Sequence, residues 1–119
     1  MSIGASVPRD RARRLLLGRG NYVDDIALPR MLHLALVRSP YAHANVGTID
    51  IADALALPGV VAIFTAEDLE HAVSSWRAEH KLFPAMAAPE QFALARNVVR
   101  WQGEAVAAVL GNSRAEAED

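Results

Sequence analysis

Apolar residues fall in short blocks, and the densest succession of blocks lies at 31–64. Residues 31–38 read MLHLALVR, a block of ordinary strand length. In a strand, Met31, His33, Ala35 and Val37 share one face and Leu32, Leu34, Leu36 and Arg38 the other. Both sets are mostly apolar, which predicts a strand covered on both sides. Ser39-Pro40 ends it. A short strand follows at 46–49, and its pairing is open between antiparallel and crossed. Asp50 caps a predicted helix over 51–57, where Ile51 and Leu55 share a face and Pro58-Gly59 closes the end. The β-branched block at 60–64 is the next strand. Thr65 followed by Asp68 then announces a brief helix over 66–72, with Asp68 as a shorter stand-in for the usual Glu or Gln.

The pattern loosens at 71–95, where Trp76, Leu82, Phe83 and Met86 have no period and Pro84 and Pro89 interrupt. A long loop is expected there. Trp76 and Phe83 either pin that loop to the domain or bury against a partner, as aromatic anchors do. Strands resume at 97–102 and, after Gly103, at 104–110, with Glu104 exposed at the start and Gly111 at the end. Ser113-Arg114-Ala115-Glu116 is a capping box. The helix it opens has about six residues before Asp119, a marginal length. Its apolar side is expected to be too short to dock. The pattern therefore predicts the front of a longer α/β domain, incomplete at its C-terminal side. Apolar surface is left bare and self-association follows.

Ahead of these blocks, residues 1–14 read as a flexible approach and 15–119 as the domain. Arg9 to Arg14 spell RDRARR. Asp10 sits inside the cluster, Asp24 and Asp25 follow, and no aromatic residue interleaves. A solvated face, or ion pairs to another polypeptide, fits better than a nucleic-acid contact. Leu15, Leu16 and Leu17 make a short anchor, one helical turn or a docking strand. Gly18-Arg19-Gly20 then turns the chain, both glycines being expected to shape it and Asp25 to fix it through backbone N–H groups. It is not a phosphate loop, because no third glycine stands in place before a helix.

Composition narrows the chemistry. The 119 residues are 52% hydrophobic, with 12 basic and 14 acidic side chains and a net charge of -2. That balance gives no strong attraction to nucleic acid or to an anionic membrane. No cysteine is present, which excludes disulfides, thiol catalysis and cysteine-held zinc or iron–sulfur clusters within these residues. No secretory leader pattern opens the sequence and no run of about 18 apolar residues occurs. A cytoplasmic setting is expected.

Few side chains offer chemistry. His33 reads as a packed strand histidine. Tyr41 and His43 have the two-residue spacing that shares a strand face, a candidate domain or subunit contact, but no acid or nucleophile stands beside them. His71 and His80 lack a third ligand. Glu104 lacks a second carboxylate. The sequence specifies no catalytic, cofactor-binding or metal-ligating set.

Order and spacing of several phrases carry a resemblance. These are Gly18-Arg19-Gly20 with Tyr22 and Asp24-Asp25; Val37-Arg38-Ser39-Pro40 with Ala42-His43-Ala44; Leu57-Pro58-Gly59-Val60; Gly103-Glu104 with Val106-Ala107-Ala108-Val109; and the helix start from Arg114. Together they resemble the N-terminal hammerhead region of the molybdopterin-binding large subunit in the xanthine dehydrogenase, aldehyde oxidase and aerobic carbon monoxide dehydrogenase family. The resemblance implies an α/β hammerhead domain with a mixed sheet and short helices, part of a hydroxylating oxidoreductase. It implies molybdopterin, iron–sulfur and FAD centres in the parent enzyme, with catalytic residues outside this chain. Partners would be the remaining molybdopterin-binding domains and the iron–sulfur and FAD subunits or domains. The alternative is a free-standing binding or assembly module without redox chemistry. Three positions depart from the family pattern: Arg11-Ala12-Arg13 replaces an acidic pair, Ala105 a proline, and Arg30 a glycine. The last two are expected to relax backbone constraints.

Overall fold

The computed structural model describes residues 3, 4, 9, 11–79, 82, 83, 85 and 87–119. The expectations for His80, Pro84 and Met86, and for most of 1–10, lie outside the described residues. The chain divides into two compact units, Met1–Met31 and Leu32–Asp119.

Among its described residues the first unit holds one helix and one 3-10 turn. Helix α1 (Ala12–Leu16) carries Arg13 and Arg14 in its last turn, where cations favour the helix dipole. The boundary expected between residues 14 and 15 thus falls inside α1. Gly18, at φ +67, ends the helix. Its N–H reaches the Leu15 carbonyl at 3.0 Å, and the Arg19 N–H reaches that of Arg14 at 3.0 Å. This is the left-handed glycine cap that satisfies the last helical carbonyls. A one-turn 3-10 helix spans Val23–Asp25. Past it, the Met31 N–H closes on the Leu28 carbonyl at 3.1 Å. Arg30, in third position of that turn, sits at φ 62. The arginine therefore does not relax the backbone. It occupies the left-handed conformation a glycine would take there.

The second unit is built on a three-stranded antiparallel sheet. Strand β1 (His33–Arg38) is followed by the two-residue strand β2 (Ala44–Asn45), helix α2 (Ala52–Leu55) and strand β3 (Val60–Thr65). After a long excursion come β4 (Val98–Val99), β5 (Ala105–Gly111) and helix α3 (Arg114–Glu118). The sheet order is β1-β5-β3, and β2 pairs with β4 in a second, two-stranded sheet. All these pairs are antiparallel, which corrects the mixed sheet expected from the sequence. β1 and β3 run the same way, but β5 slots between them, so no parallel pair forms.

Register decides what each face carries. Leu34 lies opposite Leu110, and Leu36 opposite Ala108. From β3, Ala62 and Phe64 meet the same two residues. On the other face, His33 and Val60 flank Gly111. There α3 packs on β1 and β5. A Cβ on Gly111 would lie 2.8 Å from the Ala117 nitrogen, so the glycine admits the helix. Ala117 is buried, and the expectation that this short helix could not dock is overturned. It docks through one alanine and one glycine rather than through a broad apolar stripe. The Leu face differs from expectation too. Leu34 is 60% and Leu36 39% exposed, so β1 is covered on one side only. Among the described residues the buried apolar ones are Leu94, Ala95, Val99, Ala107, Ala108 and Ala117, a core of mostly small side chains in which β5 is central.

Local sequence explains the connections. The Ala52 N–H bonds to the Asp50 carboxylate at 3.1 Å, but the N-cap is Ile51 and α2 spans only Ala52–Leu55, so Asp50 steadies the approach one residue ahead of the cap position expected for it. Gly59, at φ +92, turns the chain into β3, and its carbonyl accepts the Asn112 N–H at 2.9 Å. The expected helix over 66–72 is instead a run of turns. The strand expected at 46–49 is β2, two residues earlier. The strand expected over 97–102 is only Val98–Val99, because residues 101–103 turn.

Candidate functional site

In the first unit, the turn region is held by a local reciprocal pair. The Tyr22 N–H donates to the Asp25 carboxylate at 2.9 Å, and the Asp25 N–H to the Tyr22 carbonyl at 3.0 Å. The two glycines differ. Gly18 has the positive φ, whereas Gly20 does not. A Cβ on Gly20 would instead stand 2.7 Å from Cε2 of the Tyr22 ring. Gly20 thus serves the turn by leaving space beside that ring, not through a left-handed backbone.

In the second unit, the connections at the Arg38 end of the sheet form a polar knot. The Ser39 N–H donates to the Glu104 carbonyl at 2.9 Å and the Gly103 N–H to the Ser39 carbonyl at 2.8 Å. Arg38 Nη1 reaches the Gly103 carbonyl at 2.8 Å. The Tyr41 N–H donates to Ser39 Oγ at 3.1 Å. Glu104 is 5% exposed, not exposed as expected from its place at a strand start. Its carboxylate accepts the Arg100 N–H, so the group is buried with a charge-assisted bond. The signal for this role was the preceding glycine: Gly103, at φ +88, turns the chain so that Glu104 points inward.

Tyr41 and His43 lie in a bend between β1 and β2, not on a strand face, and both are exposed. Ser39-Pro40 displaces the strand start to Ala44. Trp76 forms an isolated bridge with Gln91, its N–H at 3.0 Å and the return bond at 2.8 Å. Its side chain is half exposed, as is that of Phe83. The bridge pins the long excursion to itself, and Ser75 Oγ adds a bond to the Glu90 carboxylate. His33 is half-buried on the α3 side of the sheet.

A cleft of about 450 Å³ lies among Thr48, Thr65, Glu67, Arg96 and Asn97. The Arg96 guanidinium lies 4.6 Å from the Phe92 ring centroid and 3.6 Å from the Glu70 carboxylate. Its charge is thus already met from two sides. Sequence reasoning missed Arg96, whose aromatic partner stands at the four-residue spacing in Phe92-Ala93-Leu94-Ala95-Arg96. Among the described residues no group of three or more His, Asp or Glu is placed to hold a metal ion. Nor is any helix there long and apolar enough to cross a membrane.

The family described as aldehyde oxidase and xanthine dehydrogenase, a/b hammerhead domain, matches residues 17–119. The large subunit of nicotine 6-hydroxylase from Paenarthrobacter nicotinovorans is 43% identical over 119 residues, which covers 98% of this chain and 14% of that one. The carbon monoxide dehydrogenase large chain of Hydrogenophaga pseudoflava is 42% identical over 106 residues, 89% of this chain and 12% of its own. Among solved structures, quinoline 2-oxidoreductase from Pseudomonas putida 86 superposes with a TM-score of 0.90 at 44% identity, over 98% of this chain and 15% of that chain. The CO dehydrogenase of Oligotropha carboxidovorans superposes with a TM-score of 0.83 at 36% identity, over 98% and 14%. The chain thus spans about a seventh of the nicotine 6-hydroxylase large subunit.

Proposed function

The chain belongs to the a/b hammerhead domain family of aldehyde oxidase and xanthine dehydrogenase, and we propose that it serves as a structural domain of a molybdenum hydroxylase large subunit. Residues outside this chain would hold molybdopterin and carry out hydroxylation, passing electrons to iron–sulfur and FAD centres. The hammerhead contributes shape and contacts, and no activity of its own. Gly18, Gly20 and Asp25 build the turn. Tyr41, His43, Trp76 and Phe83 meet neighbouring domains or subunits of the assembly, which we place in the cytoplasm. The observation that carries this reading is the agreement of fold and sequence, along nearly the whole chain, with one segment of much larger oxidoreductases.

The test is a graft. This chain replaces the matching segment of the carbon monoxide dehydrogenase large chain, and the chimera is assayed for assembly, molybdenum content and turnover. A structural domain gives an assembled, metal-loaded and active enzyme. A chimera that folds but stays apart from its partner subunits rejects the reading. So does a stoichiometric metal or a flavin absorbance band in this chain purified alone.

A further inference from the structure

We propose that the two connections at the Arg38 end of the sheet form a docking surface for an acidic segment of another polypeptide. This goes beyond the domain reading, because it names the chemistry of what the surface meets. It rests on these residues whichever enzyme the chain serves.

The first connection, 39–43, leads from β1 to β2, and the second, 100–104, leads from β4 to β5. They lie side by side because the backbones of Ser39, Gly103 and Glu104 bond to one another. Ser39 and Glu104 are buried beneath them, and Ser39 Oγ and the Glu104 carboxylate each hold a backbone N–H in place. Both connections are therefore fixed before any partner arrives, which removes part of the ordering cost of binding.

What they present is basic and aromatic. Tyr41 is 66% and Trp101 44% exposed, and Arg38, His43 and Arg100 are exposed beside them. The sole carboxylate in 38–43 and 100–104 is Glu104, which is buried. Trp, Tyr and Arg are the residue types that most often dominate binding energy. Each guanidinium spends a donor on the chain, Arg38 on Gly103 and Arg100 on Val98. Their remaining donors suit carboxylates, singly or in bidentate pairs. A nucleic-acid strand needs a continuous cationic groove. Here the cations are two arginines on a chain of net charge -2, which favours a short acidic segment over a long polyanion.

The chain has two tryptophans, so indole N–H signals in a nitrogen-15 NMR spectrum separate Trp101, in the patch, from Trp76, outside it. The probe is a synthetic peptide of alternating Glu and Tyr, run against its Gln–Tyr counterpart and a single-stranded DNA oligonucleotide. We expect the acidic peptide to shift Trp101 and leave Trp76 in place. The Gln peptide, and the double variant Arg38→Ala with Arg100→Ala, should bind at least ~10-fold more weakly. An unchanged amide spectrum confirms that the variant is folded. With the unaltered chain, raising salt from about 0.05 M to about 0.5 M should weaken binding through screening. No shift at Trp101, equal shifts at both tryptophans, or equal binding of the Gln peptide overturns the proposal. Tighter binding of the oligonucleotide also overturns it and reassigns the surface to nucleic acid.

Discussion

Arg30 carries a conformation that its side chain opposes. Its φ of 62 sits where an L-residue with a Cβ pays about 1–2 kcal/mol relative to the right-handed region. Gly pays little there but loses more freedom on folding. The net effect of Arg30→Gly should be a gain of about 0.5–1 kcal/mol, read as a higher midpoint in urea by circular dichroism. An unchanged or lower midpoint would mean that the arginine side chain contributes more than its backbone costs. The same reasoning separates the two turn glycines. Gly18 holds φ +67 and a pair of helix-ending bonds, so Gly18→Val should cost about 1–2 kcal/mol. Gly20 has an ordinary φ and faces only the movable Tyr22 ring, so Gly20→Val should cost clearly less. Equal losses in parallel melts would reject that distinction. A GRG triplet announces a turn but does not say which glycine bears the left-handed angle. That depends on where α1 stops, and the three leucines before the triplet left helix and strand both open. Glu104 differs from expectation for a related reason: a carboxylate beside a glycine in the sequence suggests a solvated strand start, and only the turn at Gly103 aims it inward.

Among the elements, the capped ones were readable in kind but not in length. Ser113 Oγ accepts the Glu116 N–H at 3.3 Å, the first half of the expected capping box, while the Glu116 carboxylate accepts the Ser113 hydroxyl at 2.7 Å rather than its backbone N–H. Ser113→Ala should cost about 1 kcal/mol. Ala117→Leu should cost about 1–3 kcal/mol, because Ala117 is buried directly against Gly111 of β5 and a larger side chain would overpack that contact. Measured together, a loss for Ser113→Ala with none for Ala117→Leu would show that α3 forms without docking on the sheet. The capping box at Thr65 behaves differently. Asp68 Oδ2 accepts the Thr65 N–H at 2.7 Å and the Thr65 hydroxyl at 2.9 Å, yet turns follow rather than a helix. One cap does not offset the nucleation cost of so short a segment, and sequence cannot show that its carboxylate ends up serving the end of β3. The backbone bond from Thr65, then its hydroxyl, hold the Asp68 carboxyl below its ordinary value of 3.8. A depressed folded pKa stabilises above the unfolded pKa, and that contribution is lost as pH falls through the folded value. Acid titration of stability should therefore show a loss below about pH 3.8 that Asp68→Asn lessens. Identical acid limbs in both proteins would remove Asp68 from the account. The group is fully exposed, so the effect should be small and reduced by salt.

At the scale of the whole molecule, what stayed hidden was which strand goes between which. Strand blocks at 31–38, 60–64 and 104–110 were legible from β-branched and apolar runs. Their order β1-β5-β3 was not, since period and propensity are local while insertion of β5 is a long-range event. The same insertion explains the misjudged burial of β1. An apolar block on both parities predicts a doubly covered strand, but β1 is an edge strand packed by α3 on one face, where only Val37 stands open, and partly open along the other. Leu34 and Leu36 stand open there beside Leu110 and Phe64, which are only partly buried. A chain that is 52% hydrophobic thus buries mainly alanines among its described residues and shows leucines to solvent. A large contiguous apolar patch marks a contact surface on a folded protein. We expect this chain, alone in solution, to self-associate through that face, in keeping with the association expected from the sequence. The attraction is apolar and the net charge is only -2, so raising salt should leave it intact or slightly stronger. This separates it from the Arg38 and Arg100 surface, whose contacts weaken in salt. Leu34→Lys places a charge on the open face at little cost to folding, because the side chain is mostly solvated already. Sedimentation of both proteins at low and high salt is the measurement. Association that persists in salt and disappears in Leu34→Lys supports the open sheet face. A monomer at high concentration, or association that salt abolishes, would show that the face is not what holds the copies together.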